Sequence, residues 1–215
     1  MQKENYQKKL LNILSTLKDE KPRLLLHACC APCSSRVLEL LANKFQITIF
    51  YYNPNIYPKT EYQRRLDELK KFLVEFPPSI KNKISIVEET YNPEDFFKAT
   101  NVQNEIELQT EKEKGERCRR CYLFRMTKAF NFAKENNFDY FTTTLSISPF
   151  KDSEKINTIG FNLEKNLNVS DNLHYLPADF KKDNGFLRSI ELSKEFNLYR
   201  QDYCGCIFSL KNSHN

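Results

Sequence analysis

The chain has 215 residues, 40% of them hydrophobic, and a net charge of +5 with a pI near 8.7. That is enough apolar material for a sizeable core, yet no run approaches the roughly 20 apolar residues of a membrane span, so no membrane partner is expected. Seven cysteines, an odd number, argue against a secreted disulfide framework, and four glycines leave little from which to build a glycine-rich nucleotide loop.

Tyr6, Leu10, Ile13, Leu14 and Leu17 recur at helical spacing, which predicts an amphipathic first helix. Nothing from Met1 to Asn5 resembles a signal-peptide core, so a cytoplasmic location is expected. A first strand is predicted over 23–26. It runs into His27-Ala28-Cys29-Cys30-Ala31-Pro32-Cys33-Ser34-Ser35, ahead of the helical pattern Val37, Leu38, Leu40, Leu41. Three thiols therefore fall on a strand-to-helix turn, where open α/β sheets place ligands and where a helix N-terminus favours thiolate. Ser34 or Ser35 is the expected helix cap.

The β-branched and aromatic run 47–52 reads as a second strand, ended by the turn Asn53-Pro54-Asn55. A helix over about 60–75 is stopped by Pro77-Pro78. A third strand covers 84–87, and Asn92-Pro93 begins another helix. Residues 99–115 are polar and charged, and read as a solvated helical insertion of about 95–120. A helix runs from Cys118 to about Asn136, a fourth strand from Tyr140 to Leu145, a helix over 155–167, a short strand over 174–176 and a helix over 189–198. Strands alternate with helices, so the expected fold is one α/β domain over 1–215, a Rossmann-like parallel sheet flanked by helices, with a small helical insertion.

The cysteines fall in tight clusters. Cys118 and Cys121, spaced Cys-x-x-Cys on a helix, share one face. This is a half-site for zinc or an iron–sulfur cluster, or a redox pair. With Cys29 and Cys30 they make up the thiolate set of a 4Fe-4S cluster, which is the favoured reading. The alternative is a closed zinc site built from Cys-x-x-Cys knuckles, which Cys30 and Cys33 fit only by leaving Cys29 over. Cys33 is a spare core thiol, a ligand to a second metal or a donor facing substrate, and the helix start favours a functional role. Cys204-Gly205-Cys206 lets two sulfurs meet in a small, easily reduced ring suited to electron relay, or offers two further metal ligands.

His27 ends a buried strand and reads either as a satisfied core histidine or as an orienting group. Arg117, Arg119, Arg120 and Arg125 crowd the Cys-x-x-Cys pair, as a solvated face or as phosphate ligands. Tyr51, Tyr52 and Tyr57 flank the Asn-Pro-Asn turn and suit either core packing or stacking on splayed RNA bases.

The motif of residues 27–34 resembles that of the QueH-type, cobalamin-independent epoxyqueuosine reductases. So do 52–56 with Glu61, Tyr62, Arg64 and Arg65, then 117–122, 143–150 and 201–206, in the expected order over nearly the whole chain. The resemblance implies a nucleotide-hydrolase-like Rossmann fold with the cysteine turn in place of its phosphate loop. It implies reduction of an epoxide to an alkene on the modified wobble base of tRNA, the partner, with an external electron donor. It also implies that Cys29, Cys30, Cys118 and Cys121 ligate the cluster, and that Cys204 and Cys206 form a redox-active disulfide. A mononuclear iron with Cys33 as ligand follows from the same likeness. Tyr52, Asn53, Asn55, Arg119 and Arg120 are the candidate substrate contacts. The alternatives are a zinc-stabilised RNA-binding module and an ATP-dependent tRNA-modifying enzyme on a related fold, though Cys-Cys-Ala-Pro-Cys stands where the latter needs a phosphate loop.

Overall fold

The computed structural model describes residues 4–17, 21–168 and 172–213. Helix α1 (Tyr6–Thr16) leads into β1 (Arg23–His27), α2 (Ala31–Leu41), β2 (Gln46–Tyr51), α3 (Lys59–Glu75), α4 (Pro77–Lys81) and β3 (Ser85–Glu88). Then come α5 (Pro93–Thr100), α6 (Glu107–Thr110), α7 (Glu116–Glu135), β4 (Tyr140–Thr143) and a 3-10 turn over Thr144–Ile147. The described chain finishes with α8 (Ser153–Lys165), β5 (His174–Tyr175), α9 (Gly185–Glu195) and α10 (Ile207–Ser213).

The five strands form one parallel sheet in the order β3-β2-β1-β4-β5. The chain winds outward from β1 through β2 to β3, then returns to the other side of β1 to lay down β4 and β5. The order reverses between β1 and β4, so a crevice opens at their carboxyl ends. His27 pairs with Thr143 at that edge. The loops after these strands, residues 28–30 and 144–152, form its walls. Among the described residues, no helix is long and apolar enough to cross a membrane.

Strand periodicity sorts the core onto two faces. Leu24, Leu26, Ile47 and Ile49 pack with α1, α2, α3 and α9, while Leu25, Phe50 and Phe141 pack with α7 and α8. A third, smaller cluster joins Phe96, Val102 and Leu108 to Cys121, Cys206 and Phe208. The insertion is thus more than a solvated helix. It buries Val102 and Leu108 and packs against both the Cys-x-x-Cys helix and the carboxy-terminal helix.

Several boundaries depart from the sequence expectation. Helix α2 begins at Ala31 with Cys30 as its cap residue, so Ser34 and Ser35 lie inside it and bond back to the carbonyls of Cys30 and Pro32, at 2.8 and 3.0 Å. Helix α3 does end at Glu75, ahead of Pro77-Pro78 and with Phe76 extended, but the two prolines then open a further short helix, in the first turn of α4, where a missing N–H costs nothing. The fourth strand ends at Thr143, because the Thr143 side chain takes the Leu145 N–H and turns the chain into the 3-10 helix.

Candidate active site

Cys29 ends the turn after β1, Cys30 caps α2 and Cys33 sits in its first turn, so one helical turn gathers three sulfurs. All three Sγ atoms lie within 4.8 Å of one another, with Cys29 and Cys30 at 3.8 Å. The site is buried: Cys29 is 7% and Cys30 1% exposed. Without a metal, such thiols cannot all ionise together. Hydrogen bonds from Cys30 and Cys33 hold Cys29 well below the usual thiol range. The same bond pushes Cys30 up to about 12, and Cys33 rises for the same reason.

Cys118 and Cys121 face inward from the first turns of α7. Burial pushes them up to about 11 and about 12. They stand outside the three-sulfur group, but both feel the charges of Cys204 and Cys206. The start of α7 is fixed by the Glu111 carboxylate, which accepts the N–H groups of Glu116 and Arg117 at 2.7 and 2.8 Å. Gly115 makes this approach possible, since a Cβ there would sit 2.1 Å from the Glu111 carboxyl carbon.

The tail is stitched across the crevice. Tyr57 N–H donates to Gly205 O at 2.8 Å, Tyr203 OH to Tyr57 O at 2.7 Å, and Gln201 Nε2 to Cys30 Sγ at 3.2 Å. Gly205 has φ +115°, and a Cβ there would lie 3.0 Å from Arg65 Nη1. All seven cysteines, Cys204 and Cys206 included, are free thiols here. Cys206 donates to Ser209 Oγ at 3.5 Å.

Four buried cations act on the thiols: Arg65 at 0%, Arg117 at 1%, Arg125 at 2% and Lys151 at 7% exposure. Arg65 is ion-paired to Glu61 at 2.7 Å and faces the charges of Cys30 and Cys29. Arg125, one helical turn beyond Cys121, acts electrostatically on that thiol and donates to Asn53 Oδ1. Asn53 Nδ2 in turn donates to Ala28 O at 2.9 Å, beside Cys29. A continuous polar chain therefore links α7 to the cysteine turn. Burial opposes the charge of Lys151, and its electrostatic attraction to the sulfurs of Cys204, Cys29 and Cys33 outweighs that, holding it well above the usual lysine range.

A cavity of about 250 Å3 opens onto this arrangement. Cys29, Cys33 and Cys204 line it together with Lys151, and Phe150, Phe186 and Arg200 stand at its walls. Soft sulfur donors, cations to balance them and a cavity beside them fit a metal centre.

The expected substrate contacts are placed less openly. Tyr52, Asn53 and Asn55 are 4%, 1% and 3% exposed. Arg119 forks onto Glu116 at 2.6 and 2.7 Å, and Arg120 bridges Glu116 and Glu105, tying the insertion to α7. His27 is neutral, its pKa lowered to about 3 by burial and by Arg125. Its Nε2 lies 3.2 Å from Tyr52 O, which only accepts, so Nδ1 takes the Thr143 hydroxyl proton at 2.8 Å. Lys151 and Gln201 also belong to the site, the second marked in the sequence only as the start of the 201–206 motif and the first not at all. The signal available was position alone: Lys151 follows the strand across the switch point from the cysteine turn.

A doubly wound parallel sheet with three thiols in its switch-point crevice places the chain among α/β proteins whose site suits metal or redox chemistry. The family model described as epoxyqueuosine reductase QueH matches residues 24–212, which take in every motif noted above. The chain is 39% identical over 212 residues to the epoxyqueuosine reductase QueH of Streptococcus pyogenes serotype M1, covering 98% of this chain and 80% of that one. With the protein of the same name from Staphylococcus epidermidis it shares 39% identity, over 97% of this chain and 85% of the other. With that of Thermotoga maritima it shares 32%, over 87% and 90%. The chain belongs to the epoxyqueuosine reductase QueH family.

Proposed function

We propose that the protein reduces the epoxide of epoxyqueuosine, at the wobble position of tRNA, to the alkene of queuosine. The observation that carries this reading is the three-sulfur group of Cys29, Cys30 and Cys33, opening on a cavity that also takes in Cys204. Loss of the epoxide oxygen as water consumes two electrons and two protons. Oxidation of the Cys204/Cys206 dithiol to a disulfide releases two of each, and an external electron donor of thiol or low-potential carrier type restores the dithiol.

Cys29, Cys30, Cys118 and Cys121 hold a 4Fe-4S cluster in this proposal, and Cys33 is a ligand to a mononuclear iron beside it. Held there, a cluster would supply single electrons and an iron would supply Lewis acidity. Support for the four-cysteine set comes from Arg125, which feels both Cys121 and Cys29. A cubane spans several ångströms, so its ligands need not touch one another. Arg65 and Arg125 balance the thiolates, and Arg125 with Asn53 keeps the two halves of the set in register. The cavity walls shed water from the reacting ring.

The test is complementation. A strain lacking the gene accumulates epoxyqueuosine in its tRNA, and the intact gene restores queuosine, as read by mass analysis of tRNA hydrolysates. Cys29→Ser or Cys118→Ser restores none and lowers iron per chain. Queuosine at normal levels in the deleted strain overturns the assignment. Colourless protein carrying stoichiometric zinc overturns the cluster.

A further inference from the structure

Lysine is among the residues least often buried, and when buried it is ordinarily paired with a carboxylate. Lys151 breaks that pattern. It is 7% exposed, and the ion pairs found among the described residues include none from it to any Asp or Glu. Its backbone is fixed by a bond from Lys151 N–H to Ser148 O at 3.2 Å. It lines the cavity together with Cys29, Cys33 and Cys204, and the charges of all three act on it. The loop that carries it leaves β4 at the switch point, across the crevice from the cysteine turn. An unpaired cation facing the space where the chemistry occurs marks a functional group.

We propose that Lys151 is a catalytic residue whose ammonium hydrogen-bonds the substrate's epoxide oxygen and stabilises the negative charge that grows on it as the C–O bond breaks. This rests on the epoxide-reduction reading above. Opening a three-membered ring reductively breaks two C–O bonds. The electron pair of each stays on oxygen, while two electrons from the reduced thiol centre complete the alkene. Oxygen so loaded needs a donor aimed at it from a dry wall. Such a donor contributes most when its charge is already in place before reaction. Lys151 supplies three N–H groups from the cavity wall, and among the described residues no ion pair ties it to Glu113 or Asp202, the two carboxylates that share that wall. The protons that complete the water come from the Cys204/Cys206 dithiol as it closes, so Lys151 keeps its own charge throughout.

A competing role for the same side chain is a counter-ion for the thiolate centre, and the two roles separate by experiment. Iron-loaded Lys151→Met and Lys151→Arg proteins are compared with the unaltered enzyme on an epoxyqueuosine-containing anticodon stem–loop. Iron and sulfide content, visible absorption, the reduction potential of the centre, KM and kcat are measured. Oxygen stabilisation predicts a kcat for Lys151→Met lower by roughly 100- to 1,000-fold, as for loss of one oxyanion donor. Iron content, spectrum and potential stay unchanged, KM shifts little, and Lys151→Arg recovers part of the rate. A fully loaded Lys151→Met enzyme within about fivefold of normal turnover overturns the proposal. So does a loss of activity that merely tracks lost iron or a shifted potential, the counter-ion outcome. An unaltered enzyme that is loaded with iron yet leaves the epoxide intact refutes the parent reading, and the proposal falls with it by a separate result.

Discussion

Asn53 offers a sharp test of how the thiol site is held. It was expected among the substrate contacts, and it is 1% exposed with both ends of its amide engaged. Its Oδ1 accepts from the buried Arg125 guanidinium, and its Nδ2 donates to Ala28 O at 2.9 Å. Asn53→Ala removes both. A bond to a charged group is worth about 1.5–3 kcal/mol and a neutral one about 0.5–1.5 kcal/mol, so the loss comes to about 3 kcal/mol. For a chain of this size that lowers Tm by roughly 6–12 °C. Asn53→Asp keeps the acceptor for Arg125 and loses only the donor to Ala28, so it falls between. Thermal melts of metal-free protein read the stability, and iron per chain reads the register of the two cysteine sets. An Asn53→Ala protein that melts with the unaltered one, takes up full iron and shows only a raised KM refutes this reasoning. It would make Asn53 a substrate contact after all.

Asn157 is fully buried and makes four hydrogen bonds, to Ser153 O, to Ala178 O, from Tyr175 OH and from Ala178 N–H. Asn157→Ala leaves buried partners unpaired and costs about 3 kcal/mol in urea unfolding, with little effect on iron uptake. Gly205→Ala forces a side chain into a left-handed backbone beside Arg65 and Ile56. It should loosen the tail and make Cys204 react faster with an alkylating reagent, followed by mass spectrometry. Burial pushes Glu39 up, but hydrogen bonds from Arg188 and Arg36 outweigh it and leave its carboxyl below the usual range. A carboxylate lowered on folding contributes stability that is present above its unfolded value of about 4.3 and lost as pH falls through the folded one. The stability difference between the unaltered protein and Glu39→Gln therefore shrinks on acidification below about pH 5, by denaturant melts over that range.

The sheet was legible because its strands obey simple patterns: three leucines before the cysteine turn, β-branched and aromatic runs after it, each followed by a helical period. The cysteine turn was legible for the same reason, since only a strand-to-helix junction puts three sulfurs on one turn. Other features were hidden because they depend on contacts between distant residues. Arg119 and Arg120 look like a phosphate clamp in sequence, yet Glu116 and Glu105 claim them, and the second carboxylate comes from 15 residues away. Val102 and Leu108 stand among charged neighbours and give no period, yet they fill a small core with Cys121 and Phe208. Lys151 carries no pattern of its own, because its setting is made by Cys29 and Cys33 from the cysteine turn and Cys204 from the tail.

The wall that the tail lays against the cysteine turn has a consequence for how the protein is made. Gln201, Cys204 and Gly205 leave the ribosome long after Cys29, Cys30 and Cys33, since chains emerge amino end first. For most of translation the early sulfurs therefore lack their last cover and remain open to oxidants and stray ions. Newly made chains should therefore be more open to oxidation or alkylation at these three cysteines than mature ones.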